Sequence, residues 1–209
     1  GIAGHLLAAS VMSAPAALVI SKIIYPEIEN SNTSGDINIE IKNTSSNAME
    51  ALGDGASDGL KLAANVGAML VAFISIVALL NYIFGIVGTS IEQILSIIFK
   101  PLAWTMGIPW SEAGYVGSLM GEKIVFTELI AFGDLQSMIS KNQLSERSVI
   151  IASYALCGFA NFGSIGIQLG GIGGIAPQRK KELAKLITKA MIGGALASWL
   201  TASVAGILI

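Results

Sequence analysis

Apolar residues gather into long runs near 6–25, 60–88, 94–110, 123–139, 148–176 and 186–209, and the polar residues collect between them. Several of these runs approach the ~20 residues that a helix needs to cross a hydrocarbon core. The clustering predicts an all-α integral membrane protein, and each run then predicts its own element. The first, His5 to Tyr25, carries Pro15 among small residues, Ser13-Ala14-Pro15-Ala16-Ala17, which suits close helix packing in lipid. A kinked spanning helix is expected over 1–26. Beyond Pro26 the chain turns acidic, with Glu27, Glu29, Asp36, Glu40, Glu50, Asp54 and Asp58, so 27–59 is expected to be an aqueous segment. Within it, Ile37-Asn38-Ile39-Glu40-Ile41-Lys42 alternates apolar and polar as a short strand would, and 47–59 has the make-up of an interfacial helix.

The stretch 60–209 holds four further elements. Leu70 to Leu80 is uninterrupted by charge and predicts a spanning helix over 60–88. Two shorter apolar runs follow, joined at Gly107-Ile108-Pro109-Trp110, and predict a re-entrant hairpin over 92–139. Non-helical backbone at membrane depth is tolerated where protein buries it or where it lines a watery cavity, so such a hairpin borders a pathway. The next run, 148–176, is interrupted by Gly158, Asn161, Gly163, Ser164, Gly166 and Gln168 and by four more glycines. A lipid-facing helix has no need of them, and a glycine-broken helix is expected. Pro177-Gln178-Arg179-Lys180-Lys181 then forms the tightest basic cluster, ahead of a last spanning helix over 183–209. The charge bias of membrane proteins places that cluster in the cytoplasm, which puts the acidic 27–59 segment inside and the base of the hairpin outside, along with Lys141 and Arg147.

Composition narrows the function class. Of the 209 residues 53% are hydrophobic and 12% charged, with a formal net charge of −2; mean hydropathy is +0.71. That balance offers no basic field for nucleic acid. Cys157 is the single cysteine, so no internal disulfide and no CxxC or zinc-ligand spacing exists, and no metal site is expected. One histidine, His5, one cysteine and no HExxH leave little for an enzyme. A membrane transporter or a structural membrane subunit fits this balance better than a membrane-embedded enzyme. The abrupt apolar opening Gly1-Ile2-Ala3-Gly4-His5 reads as a start partway through a larger protein, whether a natural fragment or an excised domain.

Candidate chemistry lies in two places. Glu128 is the one carboxylate in Ile124-Val125-Phe126-Thr127-Glu128-Leu129-Ile130-Ala131-Phe132. A carboxylate at membrane depth costs a few kcal/mol, which makes it a functional candidate; the plainer alternative is a pair with Lys123 or a place nearer the interface. Asn161, Ser164 and Gln168 fall three and four apart, along one helical face, and Gly158 and Gly163 permit unwinding that would expose backbone groups. Amide and hydroxyl groups suit recognition of hydroxyls, although bonding to neighbouring helices would explain them equally well. Gly170-Gly171-Ile172-Gly173-Gly174 lacks the spacing of a dinucleotide loop and fits close helix packing better. The sequons Asn32-Thr33-Ser34 and Asn43-Thr44-Ser45 fall in the acidic segment, where a cytoplasmic location would leave them unmodified.

Ala155-Leu156-Cys157-Gly158-Phe159-Ala160-Asn161-Phe162-Gly163-Ser164-Ile165-Gly166-Ile167 closely resembles the broken-helix signature of concentrative nucleoside transporters. Further likeness runs through Ala9 to Pro15, Leu62 to Phe73, Pro101 to Trp104, Gly107 to Trp110 and the last helix, so it covers nearly the whole chain. The resemblance is to the C-terminal half of that family. It implies that Glu128, Asn161 and Ser164 hold ribose hydroxyls and that Phe159 lines the nucleoside pocket. Where the family usually reads Asn-Glu-Phe, this chain has Thr127-Glu128-Leu129, which keeps the acid and alters the shape around it. The family's first hairpin, which reads the base and helps bind the coupling ion, is expected ahead of residue 1. The choice of nucleoside and of sodium or proton lies with that part, and this chain by itself is expected to bind no cofactor. The resemblance also implies a multi-pass protein of the cell membrane, inner or plasma, that works as a homotrimeric symporter with an elevator-like motion.

Overall fold

The computed structural model describes residues 2–28 and 46–209. The strand expected at 37–42 and both sequons lie outside the described residues. Those that are described form helices α1 (Ile2–Ile24), α2 (Ala48–Ile86), α3 (Ile91–Thr105), α4 (Trp110–Val125), α5 (Glu128–Ser140), α6 (Glu146–Leu156), α7 (Phe162–Ile175) and α8 (Lys180–Leu208), and no strand. A single 3-10 turn, Pro177–Arg179, leads into α8. Three spans, Ala3–Ile24, Ala48–Ile86 and Pro177–Leu208, are long and apolar enough to cross a membrane. The all-α membrane fold class is as the sequence predicts.

Two boundaries differ from the expectation. Residues 47–59 are not a separate interfacial helix: they are the first turns of α2, which runs unbroken through position 59. Asn47 caps that helix by accepting from the Glu50 amide at 2.9 Å, and Glu50 in turn accepts from the Ser46 amide at 2.7 Å. With its end secured and no proline inside, Gly53, Gly55 and Gly59 weaken the helix without ending it. At about 1.5 Å per residue α2 is roughly 58 Å long, about twice a hydrocarbon core, and its acidic start is exposed. The second difference concerns 92–139, which holds three helices. A tight turn at Gly107 joins α3 to α4, and a second break at Phe126–Thr127 separates α4 from α5.

The packed core is built from α4, α6 and α8, where Leu119, Met120, Ile151, Leu156 and Ala202 are wholly enclosed. By contrast, α1 and α2 turn most of their large apolar side chains outward, as helices solvated by hydrocarbon do. Glycine sets the closest approaches. A Cβ on Gly206 would fall 2.0 Å from the Met106 carbonyl oxygen, so the turn after α3 rests directly on the α8 backbone. Arg147 fastens the same corner, donating to the carbonyls of Gly107 (3.1 Å) and Gly206 (2.6 Å). On the other side, Gly166 and Gly170 of α7 lie against the α2 backbone at Met69 and Asn65, which accounts for the glycine run as packing.

These contacts also place the loops. Lys189 of α8 sits over the Tyr25 ring at 5.2 Å, and a Cβ on Gly171 or Gly174 toward the end of α7 would lie 3.9 or 3.8 Å from Leu62 in the first half of α2. The end of α1, the start of α2 and the basic turn before α8 are therefore at one end of the molecule. Arg147 and the Gly107 turn are at the other.

Candidate functional site

Two interruptions of regular helix carry the candidate residues. The first is the tip between α4 and α5. Phe126 leaves helical geometry at φ −105°, ψ −99°, and extended Thr127 starts α5 with its hydroxyl accepting from the Ile130 amide at 3.5 Å. Glu128 is the first residue of α5, beside helix-end N–H groups that favour its negative charge. Its side chain is half-buried and one carboxylate oxygen, Oε2, is shut off from solvent without a hydrogen-bond partner. Ion pairs of the described residues include Lys22–Glu27, Lys61–Asp58 and Arg179–Glu182. Glu128 and Lys123 do not form one.

The second interruption separates α6 from α7. Gly158 takes φ +145°, which a side chain would strain, while Gly163 is inside α7 and makes no break. Asn161 caps α7 in a reciprocal box with Ser164. The Asn161 Oδ1 accepts from the Ser164 amide at 2.7 Å, and the Ser164 hydroxyl accepts from the Asn161 amide at 3.3 Å and donates to the Asn161 carbonyl at 2.6 Å. Both residues are wholly buried. The box uses the oxygen of the Asn161 side chain and leaves its Nδ2 enclosed with no partner. Phe159, between Gly158 and the box, is half exposed, and Gln168 is half-buried further along α7.

Lys123 joins the two interruptions. From near the end of α4 its ammonium donates to the Ala155 carbonyl at the end of α6 (2.9 Å) and to Ser198 Oγ of α8 (2.7 Å). Sequence reasoning named Lys123 only as a possible neutraliser of Glu128. A charged residue in an apolar run was already the signal that drew attention to Glu128, and it applies equally to Lys123. His5 meets Tyr154 edge-on with ring centres 5.8 Å apart.

Residues 5–206 match the sequence family described as Na+ dependent nucleoside transporter, C-terminus. The chain belongs to this family. Relatives include the nucleoside permease NupC of Helicobacter pylori, 41% identical over 98% of this chain and 51% of its own length. The uncharacterized transporter YutK of Bacillus subtilis is 44% identical over 98% of this chain and 52% of its own. The sodium/nucleoside cotransporter 1 of Rattus norvegicus is 37% identical over 99% and 35%. The chain spans about half the length of the bacterial relatives it matches. Among solved structures, a variant of CNTnw in an outward-facing state superposes with a TM-score of 0.87 at 38% identity, covering 98% of this chain and 50% of that one. CNTnw in an inward-facing substrate-bound state gives 0.73 at 40% identity, covering 97% and 50%. This chain thus superposes more closely on the first of these structures than on the second.

Proposed function

We propose that the chain supplies the ribose-binding part of a nucleoside site in an ion-coupled membrane transporter. One observation carries the reading: the two interruptions leave one enclosed, unpartnered acceptor, Glu128 Oε2, and one enclosed, unpartnered donor, Asn161 Nδ2. A buried polar atom without a partner costs about 1–3 kcal/mol, a cost a folded protein carries where a ligand later removes it. An acceptor and a donor together match the chemistry of sugar hydroxyls, each of which can give and take a hydrogen bond. Ser164 has spent its hydrogen inside the box, so its part is to fix Asn161 and to offer a remaining lone pair. Phe159 presents an apolar face beside them. The relatives named as nucleoside permeases and cotransporters support the substrate class, and their names as transporters favour carriage over catalysis.

In the same reading 92–139 dips into the membrane and returns, and the basic turn before α8 is cytoplasmic. The remaining part of the transporter, its N-terminal half, reads the base and binds the coupling ion. Sodium is favoured over the proton by the relatives' description. The working unit is a homotrimer in the cell membrane.

The test is Glu128→Gln in the complete transporter, reconstituted in vesicles and supplied with uridine or its 2′,3′-dideoxy analogue. Hydrogen bonds to a charged group contribute about 1.5–3 kcal/mol, so the wild type should prefer uridine by roughly tenfold or more and the variant should lose most of that preference. Equal discrimination by both proteins would remove Glu128 from the ribose site.

A further inference from the structure

Lys123 is the largest wholly buried side chain of the molecule's described part, and the ribose reading makes no use of it. An ammonium withdrawn from water and from lipid is retained only where acceptors and counter-charge replace its hydration. The structure provides acceptors from two elements. Ala155 is in the last turn of α6, where carbonyls have no partner further along the helix and carry the partial negative charge of the helix end; its oxygen takes one N–H of Lys123. Ser198 Oγ takes a second and passes its own hydrogen to the Ala195 carbonyl at 2.9 Å, so every bond runs in a sense that favours a cation. Gly158 closes the enclosure: a Cβ there would lie 3.5 Å from Ser198 Cβ and 3.7 Å from Lys123 Nζ.

Broken helices of membrane transporters commonly direct half-helix carbonyl ends at a mobile cation. Here a side chain of the neighbouring element stands at such an end. We infer that Lys123 is a positioning residue of the nucleoside site: a tethered ammonium that locks the α4–α5 tip to the α6–α7 break. The inference rests on the ribose reading of Glu128. Lys123 does not itself touch the nucleoside; it sets where Glu128 stands relative to Asn161, because its stem belongs to α4 while its ammonium is held by α6 and α8.

The experiment is a double-mutant cycle in the complete transporter in vesicles, reading the ratio of uridine to 2′,3′-dideoxyuridine affinity and the split between KM and maximal rate. Lys123→Met should lower the hydroxyl preference about tenfold, mainly through KM, and Lys123→Arg should restore part of it. In a Glu128→Gln background Lys123→Met should change the ratio by less than about twofold, because the carboxylate it positions is gone. Ser198→Ala, which leaves the lysine and removes one acceptor, should act in the same direction by about two- to fivefold and should likewise fall silent beside Glu128→Gln. A wild-type ratio in Lys123→Met, or effects that multiply with those of Glu128→Gln, would overturn the inference. If Lys123→Met fails to reach the membrane, the Ser198→Ala cycle decides by the same criterion. Should Glu128→Gln alone leave the ratio unchanged, the ribose reading falls and the inference with it; multiplying effects beside an active Glu128→Gln would sink the role of Lys123 alone.

Discussion

Asn161 performs two tasks with two atoms, and a substitution can separate them. Its Oδ1 caps α7 through the Ser164 amide, and its Nδ2 is enclosed without a partner. Asn161→Ser keeps an oxygen able to cap and removes the amide; Asn161→Ala removes both. Loss of a cap costs about 1 kcal/mol, within a range of about 0.5–2. Removing an orphaned buried donor returns about 1–3 kcal/mol to the empty protein. Substrate-free Asn161→Ser should therefore melt at or above the wild-type temperature, while Asn161→Ala gains the same relief and gives back the cap. Uridine should discriminate in the opposite sense. If the amide serves a sugar hydroxyl, both variants lose about 1–3 kcal/mol of affinity, a rise in KM of roughly 5- to 150-fold. The stabilisation that uridine gives to the purified transporter should shrink accordingly. The measurements are thermal unfolding in detergent with and without uridine, and uptake by vesicles. Wild-type KM in Asn161→Ser would refute the assignment, and so would a fall in its substrate-free stability as large as that of the alanine variant.

Gly206→Ala should destabilise the transporter by about 1–3 kcal/mol or more, since the new Cβ would overlap the Met106 carbonyl oxygen at 2.0 Å and shift the carbonyl that Arg147 holds. Gly85→Ala, with nothing within 4 Å, should be neutral or slightly stabilising, and melting of the two variants in detergent checks the contrast. For topology, Lys180→Cys in a cysteine-free background should react with a membrane-impermeant thiol reagent only after cells are opened, whereas Lys141→Cys should react in intact cells. The reverse pattern would invert the orientation proposed for every helix.

Much of this architecture was legible in the chain because its strongest signals are compositional. Runs such as Leu70 to Leu80 declare spanning helices, and Gly158 with Asn161 declares a break, since one supplies positive φ and the other a cap. The break at Phe126–Thr127 was harder to see. It contains neither glycine nor proline, and its one local sign is a threonine able to cap α5, inside a stretch whose hydrophobicity reads as continuous. The separate helix expected at 47–59 failed for the converse reason: acidic residues and glycines suggested an end, but hydropathy reports where a helix meets water, not where it stops. The pairing of Asn161 with Ser164 follows their spacing of three, and what that spacing could not reveal is that the cap leaves the amide idle. The place of Lys123 depends on Ala155 and Ser198, 32 and 75 residues away along the chain, which no local pattern encodes.

The reciprocal box between Asn161 and Ser164 has a consequence for how this site can change over generations. Each side chain holds the other's backbone, so a replacement at either position frees a backbone group at the other that the lost side chain had held. A change at either position therefore loosens the start of α7 as well as altering the pocket. A descendant that replaces Asn161 to suit a different sugar has first to cross a form in which α7 begins loosely, and adjustment of selectivity is therefore easier at exposed Leu129, whose side chain caps no helix.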